Sequence, residues 1–139
     1  MRIVRVFNAH PKYRRRHRET ILLVQRVLKG EKRSNAEINV IFADDKTMLQ
    51  LNKTYLRHPY PTDVISFSLA DETQRLVVGD VYIGVNQAVR QAKEYRVSLR
   101  NELARLAVHG VLHLIGYDDR LTRQRLQMTS LENRYLQFL

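Results

Sequence analysis

NELARLAVHGVLHLIGYDD, residues 101–119, is the stretch around which the rest of the chain can be read. With Ser98 ahead of it as a capping side chain, it sets Leu99, Leu103, Leu106, Ala107, Gly110, Val111 and Leu114 at helical spacing. Gly116 is placed to end that helix and turn the chain back. A helix with this much apolar surface needs partners, and the preceding sequence supplies strands. RIVRVFN (residues 2–8), EINVIFA (37–43), DVISFSL (63–69) and LVVGDVYIG (76–84) are rich in β-branched and aromatic residues. The last two, joined by the turn ADETQR, form an expected antiparallel hairpin, with Gly79 marking a bulge or a close approach.

Helical periods separate these strands. One runs through Ile21, Leu22, Val24, Gln25 and Leu28 to Gly30, and one carries Met48, Leu49, Leu51 and Tyr55 behind a cap at Asp44 or Asp45. Another is capped by Asn86 and runs to about Tyr95. A last one, after the turn YDD, holds Leu121, Leu126, Met128, Leu131, Tyr135, Leu136 and Phe138. The double-proline stretch RHPYPT (57–62) reads as a surface loop. Together these elements predict an α+β fold in a single domain, residues 1–139, with a mixed sheet of about four strands and helices packed on it.

Composition narrows the chemistry. Without cysteine, disulfides are excluded, and a metal must be held by His, Asp or Glu. No apolar run approaches the roughly 18 residues of a membrane span, and the N-terminus has no signal-peptide core, so a cytoplasmic protein is expected. The formal charge of +10 favours a polyanionic partner, nucleic acid first. That charge is concentrated: residues 1–35 hold 11 Lys and Arg against 2 acids, and residues 36–139 hold 13 against 12. The densest run is KYRRRHR, residues 12–18, where Lys12, Arg14, Arg15 and Arg16 are candidates to grip phosphates beside Tyr13. A solvated basic helix start is the competing reading.

His109 and His113 lie four apart on the long helix, so both imidazoles leave one face and can meet a single ion. The glycine turn then returns Asp119 as a third donor, giving HxxxHxxGxxD. This follows the zincin logic of two helical histidines, a glycine turn and a later ligand, with one position left open for water. The glutamate base of HExxH is absent, because Gly110 occupies its place. A lone helical histidine is more often a hydrogen-bonded core residue; the pair, the glycine and the acids together favour a metal. Glu102, one heptad before His109, is about 10 Å of rise away and reads as a surface or structural salt bridge. His10, His17 and His58 have no partner at ligand spacing and read as surface histidines.

At this point a resemblance becomes specific. HGVLHLIGYDD resembles the HGxLHLxGYDH signature of the YbeY family of metal-dependent endoribonucleases, and LNKTYLRHPYPTDVISF resembles that family's LNxxYRxxDxPTDVLSF. GDVYIG, then QA, EY and NELARLAVHG, follow in the family's order, so the likeness covers roughly residues 35–139. It implies one zinc ion held by His109, His113 and Asp119, hydrolysis of RNA phosphodiesters, and a role in ribosomal RNA maturation and ribosome quality control. Thr62, Asp63 and Ser66 match the family's strand and are candidates to line the substrate cleft, although Thr62 and Asp63 also suit turn chemistry at a strand start.

Two positions depart from the pattern. The family's third histidine is Asp119 here, with Asp118 as the fallback ligand, and the arginine after the motif tyrosine is Leu56, with Arg57 next to it. The expected roles are therefore Arg57 stabilising charge on phosphoryl oxygens and Asp118 accepting a proton or orienting a ligand. Two other function classes compete: an RNA- or ribosome-binding factor with a structural metal, and a metalloprotease.

Overall fold

The computed structural model describes residues 1–13, 17–56, 62–70 and 75–139. Arg14, Arg15, Arg16, Arg57 and His58, all singled out above, lie outside the described residues. In chain order the elements are β1 (Arg2–Asn8), α1 (Arg18–Gly30), β2 (Ala36–Ala43), α2 (Asp45–Leu51) continued by a π-helical turn (Asn52–Leu56), β3 (Val64–Ser68), β4 (Val77–Gly84), α3 (Val85–Tyr95), α4 (Leu99–Ile115) and α5 (Thr122–Leu136).

The four strands form one sheet in the order β1-β2-β4-β3. β1, β2 and β4 are parallel, while β3 pairs antiparallel with β4 and occupies an edge. The expected mixed sheet is present, with β3 and β4 antiparallel as expected; the expected turn ADETQR and loop RHPYPT fall largely outside the described residues. Alternation in β2 and β4 decides which side is covered: Ile38, Val40, Val81 and Ile83 are fully buried, with Glu37, Asn39, Asp80 and Tyr82 between them on the other face.

Helix α4 packs against β3, β4, α1, α3 and α5. This explains its composition, because contacts on nearly every side bury Leu103, Leu106, Ala107, Val108, Val111 and Leu112. Its start is capped by Ser98, whose hydroxyl accepts from Asn101 N at 3.0 Å. Its end is set by Gly116 at φ 117°, a left-handed conformation that favours glycine. The approach of α4 to the sheet also depends on glycine. A Cβ on Gly110 would stand 2.4 Å from Val81 Cγ1, and one on Gly79 would stand 2.7 Å from Leu114 Cδ2. Gly79 thus marks a close approach, since its pairing with Ser68 continues the regular ladder.

Four local expectations need correction. Asn86 does not cap α3: the helix starts one residue earlier, with Gly84 at the N-cap, and Asn86 Oδ1 instead meets His10 Nε2 at 2.8 Å. His10 is accordingly half-buried, and its Nδ1 accepts from the backbone N–H groups of Lys12 and Tyr13, both at 3.0 Å. Glu102 is not a surface residue, and among the described residues it forms no ion pair, although the charge of Arg105 acts on it. It is buried and accepts from Gln91 Nε2 at 2.7 Å, and burial raises its pKa against that hydrogen bond. In α5 Met128 and Tyr135 are buried and Leu131 and Leu136 pack against the core as expected, but Glu132 is buried beside them, whereas Leu126 and the flanking Leu121 and Phe138 are exposed. A buried acid thus joins the inward face, a position that the apolar pattern alone did not include.

Candidate metal centre

At the C-terminal end of α4 the four-residue spacing puts the two imidazoles edge to face, with ring centroids 4.6 Å apart. His109 Nε2 and His113 Nε2 are separated by 3.0 Å. The chain reverses at Gly116, and Asp119 Oδ2 arrives 3.2 Å from His113 Nε2 and 3.4 Å from His109 Nε2. Among the described residues these three form the one cluster of potential metal donors. Its edges match the roughly 3.3 Å separation between tetrahedral ligands bonded at 2.0–2.1 Å to one ion. Two imidazole nitrogens and a carboxylate oxygen suit zinc and its divalent neighbours, so the donor set fits a metal on both geometry and chemistry. Their side chains are 23%, 30% and 38% exposed, which leaves one side of the cluster open to solvent.

Two supports hold this triangle. Glu132 reaches in from α5, its Oε2 2.8 Å from His109 Nδ1 and its Oε1 accepting from Arg105 Nη1 at 3.0 Å. With Nδ1–H donating to this buried carboxylate, the Nε2 lone pair faces the cluster, which is the tautomer a ligand needs. Burial alone lowers the pKa of His109; the hydrogen bond and charge of Glu132, followed by the charges of Asp119 and Asp63, outweigh it and raise the net value. The second support is the GYDD turn. Tyr117 donates its hydroxyl to Glu31 Oε1 at 2.5 Å, Tyr135 donates to the other oxygen of Glu31, and Arg33 Nη2 donates to Ile115 O at 3.2 Å. The end of α1 thereby fixes the turn that carries Asp119.

Other predicted site residues fall in different places. Asp118 stands outside the cluster: its Oδ1 accepts from Asp119 N at 2.8 Å, and its Oδ2 pairs with Arg120. Arg120, together with that backbone hydrogen bond, lowers its pKa and weakens it as a base. Asp63 accepts from Val64 N at 2.7 Å, a strand-start turn, yet its charge still reaches His109. Ser66 donates to Gly110 O at 2.9 Å and ties β3 to α4 beside His109, and Thr62 is half-buried at the start of the same edge strand. Lys12 shares a hollow with Leu99, ten residues before His109 on α4 and so about 15 Å of rise from the cluster. The structure does not bring it to the site.

Sequence reasoning missed Glu132, Arg105 and Glu31. Glu132 carried one readable signal, an acid in phase with Met128 and Tyr135 on the inward side of a helix. Burial of such a residue requires a partner, and the free Nδ1 of His109 is that partner.

The fold and the cluster define a class: an α+β protein with a candidate mononuclear metal centre at the end of its central helix, part-exposed to solvent. The family described as Endoribonuclease YbeY matches residues 7–139, a longer span than the motifs alone reach. Relatives bearing the same description include proteins of Chloroherpeton thalassium, 42% identical over 81% of this chain and 79% of the relative, and Cytophaga hutchinsonii, 34% identical over 91% and 89%. The solution structure of TM1509 from Thermotoga maritima shares the fold, with a TM-score of 0.65 over 97% of this chain and 87% of that one, at 22% identity. The chain belongs to the endoribonuclease YbeY family.

Proposed function

We propose that this protein is a metal-dependent endoribonuclease that cuts single-stranded RNA, with one zinc ion held by His109, His113 and Asp119. The observation that carries the reading is the half-open triangle of two Nε2 atoms and one carboxylate oxygen, in a chain of the endoribonuclease family. A zinc ion bound there would lower the pKa of water and polarise a phosphoryl oxygen. The protein's own groups do the remainder. Glu132 holds His109 in its ligand tautomer, and Arg105 balances the buried carboxylate. Asp63 adds negative charge at the rim. Arg57 is proposed as the cation facing the phosphoryl oxygens, on its place in the motif alone. Thr62 and Ser66 border the cleft from β3 and help to shape it; Asp118 organises the loop around Asp119.

The substrate proposed is ribosomal RNA, in maturation and quality control of the ribosome, within the cytoplasm; the basic surplus supports a polyanionic partner. Among the described residues no helix is long and apolar enough to cross a membrane. A structural metal in a non-catalytic RNA-binding factor is the second reading, favoured by the carboxylate in place of a third imidazole. Exposure of all three donors argues for the catalytic reading. The protease reading fails at Gly110, where a Cβ already meets Val81, so no side chain can act as a base there. Cleavage assays with single-stranded RNA and casein, with and without zinc, test the proposal: zinc-dependent cuts in RNA alone are expected. Equal RNA cleavage by the zinc-free protein would overturn it.

A further inference from the structure

Away from the metal centre, the outer side of α1 and the residues that follow α5 enclose two adjoining hollows of about 610 and 830 Å³. They share Leu22, Arg26 and Phe138. Among the described residues six cations border the pair, Arg2, Arg18, Arg26, Lys29, Arg100 and Arg134, against one acid, Glu19. Glu19 is already committed to Arg100, whose Nε donates to it at 2.7 Å. From Arg18 to Lys29 the cations extend over about 16 Å of helix, a row rather than a point. Phe138 is 57% exposed and lines both hollows, and the Arg26 guanidinium lies 4.0 Å from its ring centroid. Leu22, 53% exposed, continues that apolar floor.

We propose that this groove is a second RNA-binding surface, which holds a single-stranded part of the substrate by its phosphates and stacks a base on Phe138. The inference rests on the RNA reading of the metal centre and adds a site remote from it. Arg100 is nine and thirteen residues before His109 and His113 on α4, about 14 and 20 Å of rise. Three features favour a nucleic-acid strand over an acidic peptide. Most of the cations are arginines, whose planar forks match phosphate. They are spread in a row, and an exposed aromatic ring, Phe138, stands among them, the combination that single-stranded nucleic acids use. A dinucleotide fills only the metal cleft; a long RNA reaches both.

The test uses Arg26→Glu, Phe138→Ala and their double variant, with Lys93→Glu on α3 as an exposed charge-matched control. Anisotropy of a fluorescent 2′-O-methyl oligouridylate reads binding, and cleavage of a dinucleotide and of a long single-stranded RNA reads turnover. The double variant should weaken binding at least about ten-fold and flatten the dependence of log K on log salt by about 0.7 for each phosphate no longer neutralised. Its KM for long RNA should rise similarly, with kcat/KM for the dinucleotide and the melting temperature unchanged. Equal losses in Lys93→Glu, unchanged binding in the double variant, or polyglutamate bound in preference to the oligonucleotide would each overturn the groove as an RNA site. If the wild type binds the oligonucleotide through this groove and cuts no RNA, the endoribonuclease reading fails while the surface stands.

Discussion

Glu132 offers a sharp test of how the site is built, because it is a buried carboxylate whose two oxygens have separate duties. Oε2 receives His109 Nδ1–H and Oε1 receives Arg105 Nη1. Glutamine at this position keeps the size but has one oxygen, so its amide N–H must face either the imidazole or the guanidinium. Alanine removes both hydrogen bonds. Loss of such a support to a ligating histidine costs about 10–100-fold in metal affinity, or about 1.4–2.8 kcal/mol at about 1.4 kcal/mol per factor of ten. Stability should also fall, by about 1–3 kcal/mol for an unsatisfied buried hydrogen-bonding group. The Arg105 side chain is 29% exposed and can turn to water, which keeps the loss below that of a fully buried broken pair. The assay is competition for zinc against a chromophoric chelator, well below the melting temperature, with wild type, Glu132→Gln and Glu132→Ala. Affinity should fall in the order wild type, Gln, Ala. If both variants melt lower yet bind zinc as tightly as wild type, Glu132 is only a packing residue and the tautomer argument is refuted.

Gly110→Ala drives a Cβ into Val81 Cγ1 at 2.4 Å and should lower stability by about 1–3 kcal/mol, read by urea unfolding; a neutral result would show that α4 can lift from the sheet. Glu102, whose pKa burial raises, disfavours the folded state when ionised, so the cost is present above its folded pKa and absent below the ordinary carboxyl value. Glu102→Gln should therefore raise the melting temperature near neutral pH, with the gain vanishing toward about pH 4; a gain independent of pH would assign the effect to packing. Asp119→His replaces an oxygen donor by nitrogen and should tighten zinc binding, whereas Asp119→Ala should weaken it. Unchanged affinity in Asp119→Ala, measured in the same chelator competition, would remove Asp119 from the ligand set.

The pattern of apolar residues was enough to read the sheet and α4, because burial on one or several sides leaves a period in the sequence. Buried Ile38, Val40, Val81 and Ile83 alternate with half-buried neighbours along β2 and β4, and α4 is buried on most of its sides. The histidine pair was legible for the same local reason: a spacing of four on a helix is itself a geometry. Asp119 needed only the glycine turn. The supports of the site left no such trace, since Glu132 is 23 residues from His109 and Glu31 is 86 from Tyr117. Only the crossing of α5 over α4, and of α1 beside the GYDD turn, brings them together. The basic N-terminal third was visible as a charge count. Its row along α1 beside Phe138 depends on where the chain after α5 comes to rest.

The central claim is that His109, His113 and Asp119 hold one metal ion on which RNA cleavage depends. The most direct measurement is zinc content per chain together with cleavage of single-stranded RNA, for wild type and His113→Ala under identical conditions. One zinc per wild-type chain, with both zinc and cleavage lost in a folded His113→Ala, is the predicted result. Full cleavage by a zinc-free His113→Ala protein would contradict the account.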